Sequence, residues 1–243
     1  MSEFVYPPVI AFAKSAFWAL DLKITVTGAE HVPTSGGAVI ACNHISYLDF
    51  IFCGLGAQPS KRLVRFMAKQ EIFANRVAGP LMRGMHHIPV DRDAGLASYR
   101  QALAALKNGE VVGIFPEATI SRSFVVKELK TGAARMAGSA KVPLVPMALW
   151  GPQRMWTKGR PRRLLQRHVP ITIAVGEPLI PPARGNGDAT MIELRQRMST
   201  LVEGLQRTYP VAPRDAADSW WQPAYLGGTA PTPEEANEMD AAH

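Results

Sequence analysis

The sequence predicts an α/β fold in which a mostly β central sheet is flanked by helices. Short apolar runs alternate along the chain with segments whose apolar residues recur every three or four positions. The chain has 243 residues, 47% hydrophobic and 19% charged, which is enough for one sizeable core. This composition excludes a wholly disordered chain, and two cysteines exclude a disulfide scaffold.

Strands are predicted where short apolar or β-branched runs are bounded by turn residues. These runs are, in chain order, residues 22–27, 38–42, 66–68, 87–90, 111–115, 142–149 and 169–175.

Helices are predicted between the strands from apolar residues at helical spacing. The predicted helices cover residues 9–20, 47–55, 71–82, 96–106, 128–139 and 191–205. The clearest periods belong to the helix of residues 96–106, which Lys107-Asn108-Gly109 ends, and to the last helix, which Asp188 can cap.

Three segments are predicted from these patterns. Residues 1–21 form an N-terminal helix, residues 22–210 form the main domain, and residues 211–243 form an acidic, irregular tail that Trp220 and Trp221 pin to the body. The N-terminal helix is either a core helix or a membrane-interfacial helix, with Phe12, Phe17 and Trp18 among the headgroups.

The net charge of +7 favours an anionic partner: nucleic acid, acidic lipid or a phosphorylated substrate. A basic stretch within residues 154–167 contains no acidic residue. It suits an anionic lipid surface, a nucleic-acid backbone or a plain solvated loop.

Polar side chains follow two of the buried strands. Asn43 and His44 come directly after residues 38–42, and Asp49 lies five residues beyond His44. If the chain turns there, the Asp49 carboxylate can bind one imidazole nitrogen and leave the other as a general base. The alternative is a structural histidine whose ring nitrogens are both hydrogen-bonded within the core.

Residues 115–119, Phe-Pro-Glu-Ala-Thr, place a second carboxylate and a hydroxyl after another buried strand.

With these blocks in this order, the chain resembles the lysophospholipid acyltransferase family. That family has Asn-His, four residues and then Asp, which match Asn43, His44 and Asp49. Its second block ends in an arginine, here Arg92. Its third block, Phe-Pro-Glu-Gly-Thr-Arg, is similar to residues 115–120, and its Phe-Lys-x-Gly is similar to residues 129–132.

Two departures from the family pattern affect the acceptor. The family glycine is Ala118 and the family arginine is Ile120. An isoleucine cannot bind phosphate, so we expect Arg122 to replace the missing ligand, or the acceptor to carry another head group.

The resemblance implies the glycerolipid acyltransferase fold and transfer of a fatty acyl group from acyl-CoA or acyl-carrier protein to lysophosphatidic acid, giving phosphatidic acid. It implies His44 as the general base, Asp49 as its orienting partner, and neither a metal nor a resident cofactor. The residues expected to contact the substrate are Arg92, Glu117, Thr119, Arg122 and Lys130. Glu117 either shapes its turn or binds a glycerol hydroxyl.

The implied partners are a lysophospholipid acceptor, an acyl-CoA donor and an anionic membrane surface, without nucleic acid. The implied location is monotopic, on the cytoplasmic face of the plasma membrane. Two alternatives stay open: a relative acting on another lysolipid or on glycerol 3-phosphate, and a non-catalytic basic module that binds nucleic acid.

Overall fold

The computed structural model describes residues 3–91, 95–185 and 187–242, in which seven strands form one sheet between helices, as predicted. The strands are β1 (Lys23–Thr27), β2 (Ala38–Cys42), β3 (Val64–Lys69), β4 (Ile88–Val90), β5 (Val111–Ile114), β6 (Leu144–Trp150) and β7 (Pro170–Val175). The α-helices of these ranges are α1 (Tyr6–Ala19), α2 (Asp49–Gly56), α3 (Gln70–Ala74), α4 (Ala78–Gly84), α5 (Gly95–Lys107), α6 (Gly132–Ala140), α7 (Asp188–Arg207) and α8 (Pro233–Ala241).

The strand order in the sheet is β1-β7-β6-β2-β5-β3-β4. Neighbouring strands are parallel except β6 and β7, which are antiparallel. The chain passes from β6 to β7 through a loop with one 3-10 turn at Pro152–Arg154, and an antiparallel neighbour needs no crossover helix.

The central strand β2 is buried on both faces. Ile40 and Cys42 pack in the layer that contains Phe52 of α2, whereas Val39 and Ala41 pack in the layer formed by α5, α6 and α7. This two-sided burial explains the unbroken apolar run of β2, because both faces of a mostly parallel sheet are covered by helices.

The connections diverge at the neighbouring strands β2 and β5. The chain leaves β2 through α2 on one face of the sheet, and it leaves β5 through α6 on the other face. Such a switch point opens a crevice at the carboxyl ends of the strands, where α/β proteins place their ligands. The residues that follow β2 and β5 therefore meet in one place.

Two helix predictions differ from the structure for local reasons. Residues 71–82 form two helices, because Asn75 Oδ1 accepts the N–H groups of Val77 and Ala78 and starts a new helix there. The helix predicted from residue 128 begins only at Gly132, because the N–H groups of Lys127 and Lys130 bond to the loop after β5.

The prediction of an irregular tail is wrong for part of residues 211–243. They contain 3-10 turns at Ala217–Trp221 and Ala224–Leu226, and then α8. Thr232 and Glu235 form a reciprocal capping box that starts α8. Trp221 is buried, in a cluster beside Trp150. The segment boundaries at residues 21 and 210 stay predictions.

Candidate active site

His44 and Asp49 form a hydrogen-bonded pair at the carboxyl end of β2. His44 Nδ1 lies 2.9 Å from Asp49 Oδ2. The imidazole is 22% exposed, whereas the carboxylate is fully buried. The ring also stacks on Phe115, which follows β5, with centroids 4.4 Å apart. Asp49 and Phe115 therefore fix the orientation of a ring that still reaches the surface.

Asp49 holds the whole turn between β2 and α2. Its Oδ2 accepts the backbone N–H groups of Ile45 and Ser46, each at 2.7 Å, as well as the bond from His44. Its Oδ1 is buried and accepts no hydrogen bond from the described residues. Burial raises the pKa of Asp49, and the bonds from His44, Ser46 and Ile45 oppose that rise.

Glu117 joins the loop after β5 to the loop after β2. One carboxylate oxygen accepts the His44 N–H at 2.8 Å, and the other accepts the Lys127 N–H at 3.0 Å. Burial raises the pKa of Glu117 to about 7, against these two backbone bonds. Since both oxygens are bonded to backbone groups, the geometry favours the turn-shaping role over contact with a glycerol hydroxyl.

Asn43 fixes the start of the His44 turn. Its Nδ2 donates to the Leu149 carbonyl at 3.1 Å, and its Oδ1 accepts the Leu149 N–H at 2.7 Å. The side chain thus pairs with β6 as a further strand residue would. From the sequence, Asn43 is only one residue of the motif, because its partner Leu149 lies 106 residues away.

The two departures from the family motif have clear positions. Ala118 has φ of 61°, in the left-handed region that suits glycine better than alanine. Ile120 is buried, so its side chain packs inside the protein. Position 120 therefore supplies an apolar core contact and no cationic group.

The other expected contact residues are distributed unevenly. Thr119 is partly exposed in the loop after β5, and Lys130 is exposed near the start of α6. Arg122 is half-buried, and its Nε donates to Asp240 of α8 at 3.1 Å. Arg92 lies outside the described residues.

Sequence reasoning missed two lysines beside Arg122. Lys127 Nζ and Lys158 Nζ also bind Asp240, at 2.7 and 2.6 Å. Lys158 belongs to the basic stretch of residues 154–167, so the sequence does show that a cation lies in this loop. Its grouping with Arg122 depends on the tertiary structure.

The basic stretch is only partly a free surface. Besides Lys158, the guanidinium of Arg154 lies over Trp221 and that of Arg162 lies over Trp156, 4.5 and 4.4 Å from the ring centroids. Stacked guanidinium groups keep their charge but contribute to packing as well.

The N-terminal helix α1 has a buried side and an exposed side. Tyr6 is buried and donates its hydroxyl to the Val64 carbonyl at 2.8 Å, and Phe17 stacks on Phe52. Phe12 and Trp18 are 77% and 85% exposed. In the described ranges, no helix combines the length and the apolar character needed to cross a bilayer.

A protein-family model described as Acyltransferase matches residues 23–150. The 1-acyl-sn-glycerol-3-phosphate acyltransferase of Bacillus subtilis is 33% identical over 188 residues, which cover 76% of this chain and 85% of that protein. The Limnanthes douglasii protein of the same name is 32% identical over 167 residues and is covered to 56% of its length.

The sheet and its helices also resemble a solved structure. The crystal structure of the 1-acyl-sn-glycerophosphate (LPA) acyltransferase PlsC from Thermotoga maritima aligns with a TM-score of 0.69 and 24% identity. The alignment covers 84% of this chain and 81% of that one, and it shows a shared fold.

Proposed function

The chain belongs to the lysophospholipid acyltransferase family, and we propose that it transfers a fatty acyl group from a thioester to lysophosphatidic acid. The observation that carries this proposal is the His44–Asp49 pair, which lies at the switch point of the sheet and within the residues that the family model matches. Family membership removes the alternative of a non-catalytic nucleic-acid module. The names of the relatives favour lysophosphatidic acid over another lysolipid or glycerol 3-phosphate as acceptor.

His44 acts as the general base in this reaction. Asp49 accepts from Nδ1, so Nε2 takes the proton of the acceptor hydroxyl while its oxygen attacks the thioester carbonyl. The new C–O bond gives a tetrahedral oxyanion. Its collapse breaks the C–S bond, and the His44 imidazolium returns the proton to the leaving thiolate. The negative charge of Asp49 stabilises the imidazolium between these steps.

The test of this function is acyl transfer by the purified protein. Labelled acyl-CoA and acylated carrier protein are each incubated with lysophosphatidic acid, other lysolipids and glycerol 3-phosphate, and the products are identified. His44→Ala should lower the rate by about 10²–10⁴-fold with the fold intact. Activity within threefold of the unchanged protein would exclude the general-base role.

We also propose that the enzyme binds the membrane surface through α1 and the loop that precedes β7. The His168 N–H donates to the Leu20 carbonyl at 3.0 Å, which places this loop beside the end of α1. Leu165 in the loop is 85% exposed, as is Trp18 in α1, and arginines flank Leu165. Exposed apolar residues among cations suit an anionic bilayer interface. The cytoplasmic face of the plasma membrane remains our proposed location.

Vesicle sedimentation tests the membrane proposal. Removing α1 would also remove Tyr6 and Phe17 from the core, so point variants are sharper. Trp18→Ser and Leu165→Ser should weaken binding to anionic vesicles, whereas Ile192→Ser, an exposed change on α7 across the sheet, should not. Equal binding by all three variants would refute the proposed surface.

A further inference from the structure

Three cationic side chains converge on one carboxylate near the active site. Asp240 of α8 accepts from Arg122 Nε at 3.1 Å, from Lys127 Nζ at 2.7 Å and from Lys158 Nζ at 2.6 Å. We call Arg122, Lys127 and Lys158 the basic triad. Side-chain exposures range from 11% to 26% across the triad and Asp240, so the cluster is largely removed from water.

The basic triad is built into the segments that hold His44. Ser121, next to Arg122, donates its N–H to the His44 carbonyl at 2.7 Å. The Lys127 N–H binds Glu117, the carboxylate that also binds the His44 N–H. The active-site turn and the triad therefore share a hydrogen-bonded framework.

The loop that carries Lys158 is attached to the same turn. Thr157 donates its hydroxyl to the Ile45 carbonyl at 2.6 Å. Gly159 has φ of 76°, and a Cβ there would lie 2.6 Å from Arg122 Nη1, so a glycine leaves room for the guanidinium. These contacts bring the third cation to the site.

The charges around Asp240 do not balance. One carboxylate faces three cations, whereas a phosphate monoester carries a charge of about −1.5 to −2 at neutral pH and offers three acceptor oxygens. Burial opposes ionisation of Asp240, but the bonds from Lys127, Lys158 and Arg122 outweigh burial and hold its pKa well below the usual range. The triad therefore suits a ligand with more negative charge than Asp240 supplies.

Apart from Asp240, α8 has little to hold it. Ala236 is the one buried residue of this helix. The chain on both sides of Asp240 is exposed at Met239 and Ala241. Breaking the Asp240 contacts would thus release the end of α8 without opening the sheet.

We propose that the basic triad is the subsite for the phosphate monoester of the acceptor, and that Asp240 occupies it as an internal competitor. This inference rests on the proposed function. Acceptor binding displaces the Asp240 carboxylate. Phosphate binds only those molecules in which α8 is undocked, so the apparent association constant equals the intrinsic constant multiplied by the undocked fraction. The basic triad supplies the cationic phosphate ligands that Ile120 cannot supply.

Titration of the full-length protein with glycerol 3-phosphate and with inorganic phosphate tests the subsite directly. Asp240→Asn keeps the volume and removes the charge, so both anions should bind about tenfold tighter. Glu238→Gln, an exposed change on the same helix, is the matched control and should leave affinity unchanged. Lys127→Ala and Lys158→Ala should each weaken binding at least fivefold. If a variant is less stable, the rise in its Tm on adding phosphate reports the same affinity.

Kinetics then distinguish a headgroup site from a free-phosphate site. Asp240→Asn should lower the KM for lysophosphatidic acid and leave the KM for the acyl donor unchanged. Tighter phosphate binding with an unchanged acceptor KM would refute the headgroup assignment. If Asp240→Asn and the unchanged protein bind phosphate equally well, Asp240 does not compete with phosphate. If both lysine variants bind phosphate as well as the unchanged protein does, the basic triad is not the phosphate subsite. Phosphate binding does not depend on acyl transfer, so failure of the proposed function would be seen separately.

Discussion

Replacing Asp49 by Asn separates the charge of this side chain from its hydrogen bonds. In the structure, Oδ2 accepts all three bonds, from His44, Ile45 and Ser46. The amide oxygen of Asn can occupy the position of Oδ2, and its NH₂ group then occupies the buried position of Oδ1. The turn and the orientation of His44 are kept, while the negative charge that stabilises the imidazolium is lost.

The size of the effect follows from the 2.9 Å separation of His44 Nδ1 and Asp49 Oδ2. The lower limit is about 1 kcal/mol, the difference between a charged and a neutral hydrogen bond. The upper limit is about 6 kcal/mol, the Coulomb energy of two unit charges at that distance with an effective dielectric constant of about 20. A loss of about 3–4 kcal/mol in the transition state corresponds to about 10²–10³-fold in kcat.

The assay is steady-state acyl transfer to lysophosphatidic acid, with the acceptor and the donor varied in turn. Asp49→Asn should lower kcat with little change in either KM, because the carboxylate is buried and does not face the substrate. Asp49→Ala is the comparison, since it also removes the three hydrogen bonds and should lower the free energy of unfolding. A kcat of Asp49→Asn within threefold of the unchanged protein would refute the electrostatic role.

Three predictions concern stability, measured by urea unfolding. Asn43→Ala leaves the buried N–H and C=O of Leu149 without their partner, and it should lower the free energy of unfolding by about 2–5 kcal/mol. A decrease under 1 kcal/mol would contradict the stabilising role of the two Asn43–Leu149 hydrogen bonds. Ala118→Gly removes the strain of φ 61° and should raise the free energy of unfolding by about 0.5–1 kcal/mol. This is the cost of a left-handed alanine minus the larger backbone entropy that glycine loses on folding. Any loss of stability would contradict this. Burial lowers the pKa of His87 to about 4, so its contribution is present above pH 6.5 and is lost as the pH falls towards 4. The raised pKa of Glu117 has the opposite effect on the free energy of unfolding. Its contribution to stability is present below pH 4.5 and is lost as the pH rises to about 7. His87→Gln should therefore leave a stability that falls by about 3 kcal/mol from pH 4.5 to 7, and a stability that rises over this range would refute the assignment.

Much of the fold and the core of the site could be predicted from the sequence alone, because the signals are local. The apolar and β-branched runs predicted all seven strands of the described residues, and the helical period predicted α5 and α7 to within a few residues. His44 and Asp49 are five positions apart, so a single turn brings their side chains together whatever the rest of the fold does. The resemblance to a family rested on similarly short blocks.

Only the tertiary structure decided which distant residues meet that turn. Glu117 lies 73 residues from His44, and its bond from the His44 N–H exists because β2 and β5 are neighbours in the sheet. Asp240 lies 118 residues from Arg122, and the acidic composition of the tail predicted neither α8 nor its docking on the basic triad. Secondary structure follows from local spacing, which the sequence displays. Contacts between segments follow from sheet order and from the fit of buried surfaces, and no local pattern encodes either of them.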